Sequence, residues 1–335
     1  MQFLLAAIIL ASPAVDLTQP TGKTTKTGTQ LSEKAPAKDA ASALAEALAA
    51  IPADPRPKAI TRDMHYTISN ETRHYLFKSP INDIGGIHVG VGAEQNYIFA
   101  GWSKPKVMIL MDFDQWIVDL HRAYSVMFAK AETPDAFIEL WQKKNRKSSR
   151  KLIREAIENE RDGKRISRVF KHSHERVGRH LKKLRKQYRK MKIPIFLTDQ
   201  GQYTYLRNLW ASGQVRSVRG DLTAKKTMKG IGEFATKISL PVRTLYLSNA
   251  EYYFSFGHGR YRDNVNGLPF DETSKVLHTF PYGGVHYHYI YQTGPNFQAW
   301  LKSKRVSSLR TLMKKGRVLD DKDLRVIDAM PSEKK

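Results

Sequence analysis

Beyond residue 60 the apolar positions fall into two alternating rhythms. Short apolar runs at GGIHVGVG (85–92), KVMILMDFD (106–114), VRSVRGDL (215–222) and VRTLYLSNAEYYF (242–254) read as strands. The first ends in glycines, the next two in carboxylates, and the fourth runs into a polar turn. Between and after them, AEQNYIFAGW (93–102), WIVDLHRAYSVMFA (116–129) and TAKKTMKGIGEFATKI (223–238) place apolar residues at helical spacing. KVLHTFPYGGVHYHYIYQT predicts two further strands that turn near Gly283 and Gly284. Strand–helix alternation of this kind predicts an α/β fold: a Rossmann-like, mostly parallel sheet flanked by helices, with a C-terminal antiparallel hairpin.

The ends of the chain break the rhythm. Residues 1–15 hold a short apolar run followed by small residues, which reads as a signal-peptide-like segment too short for a transmembrane helix. Cleavage there would place the protein outside the cytoplasm, in the periplasm; without it the protein is cytoplasmic. Residues 16–57 are rich in Thr, Ala, Lys and Pro and lack aromatics, so they read as a flexible linker with one Ala-rich helical piece over 40–50. The folded domain is expected over 58–310, with a basic helical insertion at 141–192 and a basic tail at 311–335. A chain of 335 residues with 41% hydrophobic residues can bury a full core. The absence of cysteine excludes disulfides, zinc ribbons and Cys nucleophiles.

Charge changes the picture in one place. The formal net charge is +24, and the stretch 143–192 holds 21 Lys/Arg against 5 Asp/Glu. Within it Val177, Leu181, Leu184, Tyr188 and Met191 recur at steps of three and four, an apolar stripe that packs one helix face against the domain. The cations that remain suit non-specific contact with an anionic polymer or membrane surface. No sequence-specific nucleic-acid motif is present.

In an open parallel sheet, ligands sit beyond the strand C-termini. There Gly90 and Gly92 allow close backbone approach, and the helix that follows offers free N–H groups. Asp112, with Asp114 nearby, suits a ribose diol, and Asp221 an exocyclic amine. Ser248, Asn249, Glu251 and Tyr252 form a polar–aromatic cluster at the fourth strand end. Gln95 stands where the dinucleotide GxGxxG pattern needs its third glycine, so NAD is disfavoured and S-adenosylmethionine (SAM) fits better. His286 and His288 share a strand face, with His258 as a distant third residue, and read as a polar face rather than a metal site. Asp271, Glu272 and Thr273 in LPFDETS (268–274) read as a helix cap. Neither a Walker loop nor a serine elbow occurs.

The segments GGIHVGVGAEQNY, VMILMDFD, VRGDLTAKKTMKGIG, LYLSNAEYYF and NVNGLPFDETS resemble the signatures of a functionally uncharacterised bacterial family, one that itself resembles class I SAM-dependent methyltransferases. The resemblance runs from about Ser69 to Thr279, interrupted by the basic stretch. It implies that Gly90, Gly92, Glu94, Gln95 and Asn96 form the cofactor loop, with Asp112 on the ribose and Asp221 on the adenine. It also implies that Ser248 to Glu251 form the catalytic strand end, where Asn249 or Glu251 would hold the acceptor of a methyl group. The acceptor itself is unspecified. The competing expectation is an exported, non-catalytic binding protein whose basic helix contacts an anionic surface or polymer.

Overall fold

The strand Val107–Asp112 is buried along its whole length. Its Met108 and Leu110 enter one hydrophobic cluster, while Val107, Ile109 and Met111 enter another. Side chains alternate between the two faces of a strand, so a run this apolar requires helices on both sides of the sheet. The computed structural model describes residues 37–60, 63–283 and 286–332. The signal-like segment and the linker as far as residue 36 lie outside the described residues.

In chain order the elements are α1 (Ala37–Ala49), α2 (Lys78–Ile81), β1 (Ile87–Val91), α3 (Gln95–Ser103), β2 (Val107–Asp112), α4 (Gln115–Lys130), α5 (Pro134–Leu140), α6 (Arg146–Ala156), α7 (Gly163–Met191) and α8 (Gln200–Ala211). There follow β3 (Val215–Arg219), α9 (Thr227–Lys237), β4 (Val242–Tyr246), α10 (Tyr261–Asn266), β5 (Lys275–Tyr282), β6 (His286–Thr293), α11 (Gly294–Ser303), α12 (Leu309–Met313), β7 (Arg317–Val318) and β8 (Leu324–Ile327). They build an α/β domain on an eight-stranded sheet in the order β3-β2-β1-β4-β5-β6-β8-β7. Strands β1 to β5 pair in parallel, and β5 and β6 form the antiparallel hairpin. Helices α2 to α8 cover one face and α1 and α9 to α12 the other, to judge from their core residues. No helix among the described residues is long and apolar enough to cross a membrane.

The structure departs from the expected boundaries at both ends. The second half of the supposed linker belongs to the domain: Leu48 and Ile51 are buried in the second cluster, and Asp54 is buried with them. The supposed tail is also structural. Strand β8 pairs in parallel with β6, and Leu312 and Ile327 are buried. Each segment offers only a few apolar residues, and even Leu44, Leu48 and Ile51, which keep helical spacing, have nowhere to bury until the sheet supplies a surface for them.

The basic insertion forms α6 and α7, in the crossover between β2 and β3. Val177, Leu181, Leu184 and Tyr188 of α7 are buried in the first cluster, with Met191 packed at its margin. The indole N–H of Trp116, on α4, donates to Ser173 Oγ of α7 at 3.1 Å.

Candidate functional site

The chain runs from β1 out to β2 and β3, then returns to β4 on the other side of β1, creating a topological switch point. A cavity of about 500 Å³ lies over the C-terminal ends of these four strands. Gly92 and Gln95 line it after β1, Asp112 and Asp114 after β2, Asp221 after β3, and Ser248 and Asn249 after β4.

The loop after β1 is held from beneath by histidines. His121 Nε2 donates to the Gly92 carbonyl at 2.8 Å, so its Nδ1 accepts from the Tyr97 hydroxyl, also at 2.8 Å. Burial pushes the His121 imidazole down to about 4, which keeps it neutral and fixes this tautomer. Asn96 Nδ2 donates to the Val91 and Ala93 carbonyls at 3.1 and 3.2 Å, while its Oδ1 pairs with His88 Nε2 at 3.0 Å. Three consecutive carbonyls of the loop are thereby anchored inside the domain.

The two glycines serve different ends. Gly92 has φ +90, a conformation that side chains rarely adopt, and it faces the cavity beside Gln95. A Cβ at Gly90 would come within 1.8 Å of Asn96 Oδ1, so this glycine leaves room for the buried Asn96 and His88. Glu94 and Asn96 are likewise buried and do not line the cavity. Glu94 accepts from the Ser69 N–H at 3.1 Å and from His180 Nε2 of α7 at 2.6 Å. Burial pushes its carboxyl up, but His180, by charge and hydrogen bond, together with the backbone N–H groups of Glu94 and Ser69, holds it below its ordinary value.

The carboxylates differ in state. Asp112 is buried and pushed up to about 7, chiefly by desolvation and further by the neighbouring Asp114 charge. Backbone N–H groups of Asp114, Gly92 and Phe113 oppose that shift only in part. Asp114 caps α4, accepting from the Trp116 N–H at 2.9 Å, and pairs with His65 Nδ1 at 2.7 Å. The His65 ring stacks on Trp116 at 4.3 Å. Asp221, a lining residue, uses Oδ1 for the N–H and hydroxyl of Thr223, both at 2.8 Å.

At the end of β4, Ser248 adopts φ 51, a left-handed backbone that costs a non-glycine residue about 1–2 kcal/mol. Its hydroxyl donates to Glu71 Oε1 at 2.7 Å. Buried Glu71 also accepts from Tyr246 and Thr279, and so fastens the segment before β1 to β4 and β5. Burial would raise its carboxyl; the hydrogen bond and charge of His74 lead the groups that bring it below its ordinary value instead. Asn249 lies on the cavity wall beside Ser248.

Glu251 requires a correction. Its carboxylate is buried, accepts from the Tyr261 hydroxyl and from His278 Nδ1, and is not on the cavity wall. Gln292 Nε2 donates to His278 Nε2 at 3.1 Å, which sets that ring's tautomer. Glu251 is an internal anchor beneath the site rather than a group that meets a substrate. Gly90, Glu94 and Asn96 are corrected in the same sense, from cofactor contacts to supports of the loop.

Several groups that build the site were not anticipated from sequence. Asp54 accepts from the N–H groups of Asp221, Lys226 and Thr227, capping α9 from a remote segment and steadying the Asp221 loop. Tyr66, Ser69 and Asn70 form a wall from the segment ahead of β1. Their one sequence signal is the alternation in YTISNE, too short to assign. His258 lines the cavity, whereas His286 and His288 stack on Tyr282. Among the described residues no group of His, Asp and Glu could hold a metal ion.

The cavity wall is acidic, lined by Asp112, Asp114 and Asp221. Gln95 Oε1 is buried without a hydrogen-bond partner. No described residue lining the cavity is Lys or Arg, in a chain of net charge +24. No curated protein matches the chain. A family model for a domain of unknown function, DUF7790, matches residues 66–328, which include every strand of the sheet, and the chain belongs to that family.

Proposed function

We propose that the cavity binds SAM and that the protein is a methyltransferase acting on an acceptor brought to the mouth beside Asn249. The observation that carries this reading is the sign of the cavity wall. Three aspartates line it, and no Lys or Arg among the described residues does. A phosphate-bearing cofactor such as NAD or ATP would meet uncompensated negative charge there, whereas a ligand carrying an ammonium and a sulfonium meets acceptors.

The roles follow from position. Asp112 accepts from a ribose diol, and its ionised form, held back by burial, is favoured once those hydroxyls donate to it. Asp221 accepts from an exocyclic amine. Gly92 presents bare backbone to the ligand. When bound, SAM supplies an electrophilic methyl group on sulfur. The protein's part is proximity and alignment, with Asn249 orienting the acceptor for in-line attack.

Calorimetry with SAM, S-adenosylhomocysteine, adenosine and ATP tests this. Binding of the first two, with ATP the weakest of the four, is expected, and Asp112→Ala should abolish it. Absence of SAM and S-adenosylhomocysteine binding at millimolar concentration refutes the reading.

A further inference from the structure

Helix α7 carries twelve Lys/Arg between Gly163 and Met191 and a single acid, Glu175. Its apolar face is spent on the domain core, so the cations gather on the opposite face, where Arg168, Lys171, Arg179, Lys182, Lys186 and Arg189 are exposed. Of the twelve, Arg165 pairs with Asp119 and Asp162, and Arg185 with Asp135. The other ten meet no carboxylate among the described residues. A helix of 29 residues is about 43 Å long, so this is a rod of like charge with little internal compensation. Such an arrangement is unfavourable by itself and gains from a polyanion of similar extent.

The surface is grooved. Lys182, Arg185, Lys186 and Arg189 line a depression of about 360 Å³ against Glu139 and Gln142, near the C-terminus of α5. Arg185 is mostly buried in it, and its Nε has no partner. A bilayer is flat and cannot follow a groove, and α7 exposes no apolar residue to insert between lipids. A phosphodiester strand can enter a groove and set successive phosphates against a row of cations.

We propose that the exposed face of α7 is a nucleic-acid docking surface, with the strand backbone seated in the Lys182–Arg189 groove and running along the helix. Contacts of this kind read charge and spacing rather than bases, so recognition is independent of sequence. The proposal does not rest on what the cavity binds. It does join two parts of the protein, because His180 on the same helix holds Glu94 at the loop after β1.

The test is fluorescence anisotropy of the full chain with labelled 20-mer single-stranded RNA, single-stranded DNA and duplex DNA, from about 50 to 300 mM salt. Binding in the micromolar range or tighter at low salt is expected, with a log–log salt slope of roughly −3 to −5 for five or so phosphate contacts. The charge reversal Lys182→Glu/Lys186→Glu/Arg189→Glu should weaken binding at least tenfold. A control with the same net charge, Lys237→Glu/Lys302→Glu/Lys314→Glu, places its changes at exposed positions outside α7 and should retain most of the affinity. Circular dichroism and melting confirm that both variants fold. Equal losses in the two variants would reduce the effect to net charge and overturn the proposal. So would dissociation constants for all three probes weaker than about 100 μM at low salt. Tighter binding to phosphatidylserine vesicles than to any nucleic acid would overturn it in favour of a membrane.

Discussion

Asp112→Asn tests whether the strand-end carboxylate is kept for a ligand at the expense of stability. Its carboxyl is moved from an ordinary 3.8 to about 7 by burial. A folded state that holds the proton more tightly than the unfolded chain is favoured at low pH. That contribution is whole below about 3.8 and is lost as pH rises toward 7. At 1.36 kcal/mol per pH unit, ionised Asp112 costs the folded state up to roughly 4 kcal/mol at pH 8, an upper bound because local relaxation lowers it. Asparagine keeps the shape and an oxygen for the surrounding backbone N–H groups but never ionises. Urea melts of both proteins at pH 4.5 and pH 8 should therefore give a difference that grows with pH. The variant should be more stable by about 1–4 kcal/mol at pH 8 and close to the parent at pH 4.5. SAM binding should be lost in the same variant, since gained stability with lost binding marks a residue retained for function. A stability difference that stays constant with pH, or a variant less stable at pH 8, would refute the reasoning.

Other consequences can be measured on the same material. The affinity of the parent protein for SAM should fall up to tenfold per pH unit below about 7, as Asp112 takes up its proton, and level off above it; calorimetry across pH 5.5–8.5 reads this. Gly90→Ala should lower stability by about 1–3 kcal/mol through its clash with buried Asn96. Gly92→Ala should cost about 1–3 kcal/mol, because φ +90 strains any side chain and the end of Gln95 must also move, and should lose SAM binding at least tenfold. Glu251→Gln should cost about 1.5–3 kcal/mol in a denaturant melt through weakened bonds to Tyr261 and His278; an unchanged melt would restore it as a functional rather than structural acid. A chain ending at residue 310 should be insoluble or molten, as removing β8 leaves β6 as an open sheet edge paired only with β5 and leaves the site of Ile327 open.

Much of the sheet could be read from the chain because strands buried on both faces must be apolar throughout, and VMILMD satisfies that without further help. The order of glycine loop, Asp112, Asp221 and Ser248–Asn249 was equally legible, since in a parallel sheet every strand delivers its C-terminal residue to one edge. Which of those residues face a cavity was not legible. Gly90 lies in β1 and Gly92 two residues on, just past its end, yet a positive φ at one and the packing of Asn96 beneath the other give them opposite roles. Glu251 looked catalytic because nothing in its neighbourhood in sequence names His278 as its partner, 27 residues away. Asp54 looked like linker because the N–H groups it caps belong to residues more than 160 positions further on. Local pattern fixes period, polarity and strand ends, which depend on neighbours in sequence. Burial, protonation and exposure to a ligand depend on neighbours in space, and those the folded sheet alone assigns.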